Sequence, residues 1–231
     1  MNNPLISIII PTYNEAATIG ILLRYLRQNC HPNEIEILVI DAGSIDDTLA
    51  LATANGAQAM ISPKKGRAAQ MNFGSSLAKS NLLYFVHADS FPPISFIKDI
   101  LLALQQGFSC GRYQTTFNTN RFIFKINAFF TRFDWFICYG GDQTFFITKK
   151  LFEQVNGFNA GMLIMEEYDL TERARQMGQY KIMKGKVLVS VRKYEGRSWW
   201  RVLLANRKAV ALYKAGTSQQ QIADTYKQML G

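Results

Sequence analysis

Short apolar runs that stop abruptly in polar residues constrain this chain most. The clearest is Leu82-Leu83-Tyr84-Phe85-Val86, which turns polar at His87-Ala88-Asp89. A run this short and this apolar fits a strand buried on both faces, as in a parallel sheet. Residues 5–10 repeat the pattern, stopped by Pro11 and followed by Thr12-Tyr13-Asn14-Glu15. Residues 35–40 repeat it again and end at Asp41.

Helical patterns fill the intervals. Ile19, Leu22, Leu23 and Leu26 recur with helical period after the first run. Asp46-Asp47-Thr48 starts a short helix with acids in its first turn, and residues 57–62 form a weaker third strand. The basic loop Lys64-Lys65-Gly66-Arg67 leads into an Ala/Ser-rich helix over about 68–79. Pro92-Pro93 opens another helix, which ends near Gln106-Gly107. Strands alternating with helices at this spacing mean βαβ units and a mostly parallel sheet. Right-handed crossovers then place Thr12 to Glu15, Asp41 and His87 to Asp89 along one edge, where such sheets bind ligands. A single acid after a strand is an ordinary helix cap; clusters converging on one edge point to an anion or metal site.

The second half is less regular. Residues 110–117 read as a strand, 121–139 as an aromatic-rich helix or helix pair, and 145–148 as a short strand. A helix over about 149–155 is ended by Gly157-Phe158. Residues 166–177 read as a helix, 180–191 as one or two strands, and 199–215 and 218–230 as two helices split at Gly216, with Ser218 as an N-cap. There is no long linker, repeat or low-complexity segment.

The 231 residues, 48% hydrophobic and 19% charged, suffice for one large folded core. A net charge of +9 favours an anionic partner, whether nucleotide sugar, anionic lipid surface or nucleic acid; a merely solvated basic surface accounts for it equally. Cys30, Cys110 and Cys138 lack pairing or zinc spacing and read as free thiols of a reducing compartment. Met1-Asn2-Asn3-Pro4 has no basic leader character, so no signal peptide is expected. No stretch reaches the ~18 uninterrupted apolar residues of a membrane span; residues 122–139 come nearest but are broken by Lys125, Asn127, Arg132 and Asp134. The first strand-to-helix turn has no GxGxxG, which argues against a dehydrogenase, and no P-loop signature is present.

Taken in order, Pro11-Thr12-Tyr13-Asn14-Glu15, Val39 to Thr48 with Asp41-Ala42-Gly43-Ser44, Gly66 through Asn72-Phe73-Gly74, and His87-Ala88-Asp89 resemble the motif set of family 2 glycosyltransferases. The resemblance covers roughly residues 5–195. Gly66-Arg67, Gln70-Met71-Asn72, His87-Ala88-Asp89 and Gly141-Asp142-Gln143 are similar, more narrowly, to a bacterial subgroup labelled selenodomain-associated, itself similar to carotenoid-acid glycosyltransferases. It implies the α/β fold called GT-A, a nucleotide-diphospho-sugar transferase fold. With no linker or repeat, the chain parses as one such domain over 1–231: a nucleotide-binding half (1–110), an acceptor-binding half (111–198) and C-terminal helices (199–231).

The roles it implies run position by position. Pro11, Thr12, Tyr13 and Glu15 line the nucleoside pocket, and Asp41 with Gly43 contacts the nucleobase. The family's second acid is here Ala42. Gly66, Arg67 and Asn72 approach the donor, with Arg67 suited to bidentate phosphate contact. His87-Ala88-Asp89 stands where the family has Asp-x-Asp; Asp89 is the ligand of Mg²⁺ or Mn²⁺, and His87 replaces the first acid. Glu166-Glu167 stands where the family has Glu-Asp. Acids here also suit a helix N-terminus, but transfer to a hydroxyl needs a carboxylate base, and Glu167 is that base, with Glu166 second. Asp142 and Gln143 fall on the acceptor side, as do Arg197, Trp199 and Trp200 in a degenerate Gln-x-x-Arg-Trp-like segment.

The activity implied is inverting transfer from a nucleoside-diphosphate sugar to an acceptor hydroxyl, lipid-linked acceptors included. Arg201, Arg207, Lys208 and Lys214, with Phe122, Phe124, Phe129, Phe130, Phe133, Trp135 and Phe136, suit peripheral contact with an anionic membrane. Core packing under a helix pair explains those rings as well. The setting would be cytoplasmic, at the inner face of the cell membrane. The rivals are a non-catalytic sugar-nucleotide binder, a nucleotidyltransferase, whose glycine-rich basic loop is missing after the first strand, and a basic nucleic-acid-binding protein, against which the acidic strand ends speak.

Overall fold

The computed structural model describes residues 3–136, 139, 143–192 and 198–231. Along the chain run β1 (Ile6–Thr12), α1 (Ile19–Asn29), β2 (Ile35–Asp41), α2 (Thr48–Ala54), β3 (Gln58–Ile61), α3 (Arg67–Leu77), β4 (Leu82–Phe85), β5 (Ser90–Phe91), α4 (Phe96–Gln105), β6 (Cys110–Phe117), α5 (Phe122–Phe130), β7 (Phe145–Thr148), α6 (Lys149–Gln154), α7 (Glu166–Met177), β8 (Tyr180–Val189), α8 (Trp199–Lys214) and α9 (Gln219–Leu230). The strands form one sheet in the order β3-β2-β1-β4-β7-β6-β8-β5. Strands β3, β2, β1 and β4 are mutually parallel, as are β6 and β8. β7 runs antiparallel between β4 and β6, and β5 antiparallel on β8.

Every residue of β1, β2 and β4 is buried. Strand alternation divides them between two layers. Ile6, Ile8, Ile10, Ile35, Ile37, Val39, Leu82 and Tyr84 pack on one face with Leu22 and Leu26 of α1 and Ile100 and Ala103 of α4. Ile9, Leu38, Ile40, Leu83 and Phe85 pack on the other with Ala68 and Met71 of α3, Phe152 of α6 and Leu170 and Ala174 of α7. This is the α/β fold expected, a sheet covered by helices on both faces.

Helix α3 lies close on the sheet, and Gly74 is what lets it. A Cβ there would stand 2.6 Å from Ile9 Cγ2 and 3.0 Å from Ile40 Cγ1. The same helix reaches the site edge through buried Gln70, whose amide donates to the Thr12 and Ile40 carbonyls at 2.8 and 2.7 Å.

Two local readings differ from the sequence expectation. The aromatic segment 121–139, expected as a helix or helix pair, is α-helical among the described residues only over Phe122–Phe130. Buried Arg112 causes this: its guanidinium donates to the Thr131 and Phe133 carbonyls at 2.7 and 3.0 Å, drawing them out of the helical ladder. The Thr131 hydroxyl turns back to the Ala128 carbonyl at 2.7 Å. The second difference is β5, two residues just past Asp89, too short to show a period. Among the described residues no helix is long and apolar enough to cross a membrane.

Candidate active site

The strand order β2-β1-β4 puts the carboxyl ends of the three polar-ended strands side by side. A cleft of about 210 Å³ opens there, lined by Pro11, Thr12, Tyr13, Glu15, Arg67, Gln70, His87, Ala88 and Asp89. Seven of these nine side chains carry polar or charged groups, which suits a hydrated anionic ligand better than an apolar one.

Asp41 lies beneath the edge rather than in the cleft. It is fully buried, and its oxygens are taken: Oδ1 accepts from the Gly43 and Ser44 amides at 2.8 and 2.6 Å, and Oδ2 from the Thr12 and Ser44 hydroxyls at 2.9 and 2.5 Å. Gly43, at φ +89°, makes the turn that brings those amides round. Asn14, at φ 55°, stitches this turn to the first: its side-chain oxygen accepts from the Ile45 amide at 3.0 Å, and its own amide donates to Ser44 Oγ at 2.7 Å. Glu15 is held from two sides, by the Thr18 hydroxyl at 2.9 Å and by an ion pair with Arg192, just past β8.

Helix α7 supplies two acids from the other wall. Met165 sits in the left-handed region at φ 65°, an uncommon conformation for a side chain of this size, and feeds Glu166 and Glu167 into the first turn. Both are buried. Glu166 Oε1 lies 2.6 Å from Arg67 Nε, and Glu167 Oε1 lies 3.3 Å from His87 Nε2. Each acid is thus tied to a residue of the cleft.

Two buried carboxylates here share one guanidinium and one imidazole. Burial, then the charge of Glu167, pushes the Glu166 carboxyl up to about 7 despite the Arg67 contact. Burial would raise Glu167 too, but Arg67 and the His87 hydrogen bond outweigh it and hold that carboxyl below its ordinary range. Burial opposes a proton on His87, yet the Glu167 hydrogen bond and charge raise its pKa. Below about pH 7 the pair therefore holds one proton, on Glu166, and loses it as pH rises through that value, while Glu167 is ionised throughout.

Asp89 presents its half-buried carboxylate in the cleft beside His87. Among the described residues no three histidines, cysteines or acids gather to hold a metal. One carboxylate oxygen still fits a hard divalent cation that takes its other ligands from phosphate oxygens and water, the usual manner of Mg²⁺.

A family profile described as Glycosyl transferase family 2 matches residues 7–165. The chain belongs to that family. It is 26% identical over 197 residues to PGL/p-HBAD biosynthesis glycosyltransferases of Mycobacterium bovis and Mycobacterium tuberculosis, covering 75% of this chain and 70% of theirs. Its fold resembles the mannosyltransferase PcManGT of Pyrobaculum calidifontis, solved with GDP-Man and Mn²⁺, at a TM-score of 0.69 and 18% identity over 93% of this chain. The chain spans 65% of that mannosyltransferase. It also resembles S. aureus TarS 1–349 in complex with UDP-GlcNAc, at 0.67 and 16% identity over 97% of this chain and 71% of that one. These neighbours establish the GT-A fold.

The other expected residues of this family 2 chain are scattered. Gly66, at φ +113°, caps α3 just before Arg67. Asn72 faces away from the cleft: its side chain exchanges two 2.8 Å hydrogen bonds with the Phe158 backbone and lines a separate surface pocket with Lys149 and Glu153. Gln143 is buried behind Glu167, in a small cavity shared with Arg112, Tyr139 and Thr171. Trp199 packs near Phe124 and Val202, and Trp200 is exposed; neither lines the cleft. Asp142 and Arg197 lie outside the described residues. Sequence reasoning passed over Gln70 and Arg192 as site residues. Gln70 stood in the Gln70-Met71-Asn72 motif of the resemblance but was given no role there, and Arg192 was only the first of several basic residues after β8.

Proposed function

We propose that this family 2 chain moves a sugar from a nucleoside-diphosphate sugar to an acceptor hydroxyl with inversion. One observation carries the reading: both acids of α7 are tied into the strand-end cleft, Glu166 through Arg67 and Glu167 through His87. The GDP-Man of PcManGT and the UDP-GlcNAc of TarS support the donor class.

Pro11, Thr12, Tyr13, Glu15 and Ala88 wall the nucleoside, with Asp41 and Gly43 shaping the turn below. Arg67, half of whose side chain is open to solvent, swings to the diphosphate. Asp89 holds Mg²⁺ or Mn²⁺, and the Mn²⁺ of PcManGT supports this. When bound, the metal neutralises charge on the departing diphosphate. Glu167, ionised beside His87, takes the acceptor's proton as its oxygen attacks the anomeric carbon opposite the diphosphate, which leaves with the bonding pair. Gln143 backs Glu167 on the acceptor side, in the half formed by residues 111–198. A lipid-linked acceptor is in keeping with the net charge of +9, which suits an anionic lipid surface. The buried thiols of Cys30 and Cys110 support a reducing, cytoplasmic setting.

Thermal shift against UDP, GDP and other nucleoside diphosphates, with and without Mn²⁺, tests the reading. Metal-dependent stabilisation by at least one of them, lost in Asp89→Ala, is expected; no stabilisation by any would sink it. A second reading, a sugar-nucleotide binder without catalysis, is favoured by His87 and Ala42 standing where the family has acids. Slow hydrolysis of the donor by the wild type separates the two.

A further inference from the structure

Helix α5 and the turn after it carry a dense exposed aromatic surface. Phe122 is 75% exposed, Phe129 47%, Phe130 41% and Trp135 53%. With Ile126, the positions 122, 126, 129 and 130 repeat as one helical face. The rings touch each other: Phe129 and Phe130 have centroids 5.7 Å apart, and Phe133 stacks on Trp135 at 4.7 Å. The face is not a misplaced core. The inner side of α5 has its own seat, Phe124 in a buried cluster with Val202 of α8.

Charge decides what covers this face. Lys125 and Arg132 are exposed beside it, with Arg132 4.1 Å over the Phe129 ring, and Arg121 is exposed at the N-terminal end of α5, its guanidinium over Phe124. Residues 118–133 contain no acid. The first one beyond, Asp134, is already held by Arg175 and by the Tyr139 hydroxyl. Helix α8, which meets α5 where Val202 packs with Phe124, carries exposed Leu204 and Lys208, while its exposed Arg201 turns to the Met229 carbonyl of α9. A second copy of the chain would bring like charges together with no acid to pair them. A nine-residue helix cannot span a bilayer, which needs about 20 residues. Aromatic rings flanked by basic side chains suit the boundary between headgroups and acyl chains.

We infer that α5 and its following turn dock on an anionic lipid bilayer, the helix lying in the plane of the surface. Phe122, Phe129, Phe130 and Trp135 enter the boundary region, and Arg121, Lys125 and Arg132 meet lipid phosphates. The inference rests on the proposed function only in explaining why a lipid-linked acceptor would be met there; its evidence is the face itself.

The test is sedimentation of the full chain with vesicles of phosphatidylcholine alone or mixed with phosphatidylglycerol. Binding to the anionic vesicles only, released by high salt, is expected. Phe122→Ser/Phe129→Ser/Trp135→Ser should weaken it about tenfold or more, as should Arg121→Gln/Lys125→Gln/Arg132→Gln. None of these residues lines the cleft, so nucleotide-induced thermal shift should be unchanged, which also shows the variants folded. Failure of the wild type to bind anionic vesicles, or equal binding by the serine variant, overturns the inference. So does a dimer that the serine variant dissolves. Vesicle binding without any nucleotide binding would overturn the proposed function and leave this inference standing.

Discussion

Glu166 and Glu167 are adjacent in sequence, yet one faces Arg67 and the other His87. Their different neighbours give them different protonation near neutral pH, and this sets two expectations. Glu167→Gln should lower donor hydrolysis and transfer by about 10²–10⁴-fold, with nucleotide binding kept. If Glu166→Gln alone has that effect, the two roles are exchanged. The second expectation concerns stability. Glu166 holds its proton up to about 7 against an ordinary 4.5, so the native state binds that proton more tightly than the unfolded chain. The stability this contributes is complete below the ordinary value and is lost as pH rises through about 7. Chemical denaturation from pH 5 to 8 should show the wild type losing on the order of 2 kcal/mol that Glu166→Gln retains. A parallel loss in both proteins would place the titrating group elsewhere.

Secondary elements were largely legible because their causes are local. The fully buried strands β1, β2 and β4 announced themselves as apolar runs, and α1 as a run of helical period. The end of α5 was not legible, because the residue that ends it, Arg112, is on β6 and contacts it only in the fold. Gly74 was similarly silent: a glycine inside a helical pattern reads as a weakness until the sheet is seen against it. Gly74→Val should destabilise the protein by about 3 kcal/mol through overpacking against Ile9 and Ile40, offsetting any gain in helix propensity. Urea denaturation measures it; a neutral result would mean that α3 can lift from the sheet without cost.

Across the whole molecule, the cleft joins parts of the chain far apart in sequence. Arg192 meets Glu15 across 177 positions. Both are partly exposed, so the pair contributes under about 1 kcal/mol to stability. Its larger effect is to fix the cleft wall. Arg192→Ala should leave the melting temperature nearly unchanged while weakening nucleotide binding severalfold in calorimetry. A large melting shift with unaltered binding would make the pair structural instead.

The sequence by itself determined the α/β layering and the edge on which the polar clusters gather. Both follow from apolar periodicity and the handedness of crossovers, which local residue order encodes. Only the tertiary structure decided which clusters face solvent: Asp41 went under the edge, Asn72 to another surface, and His87 to Glu167. The reason is physical. A carboxylate's partners and protonation depend on burial and on charges within a few ångströms, and those neighbours come from elements distant in sequence.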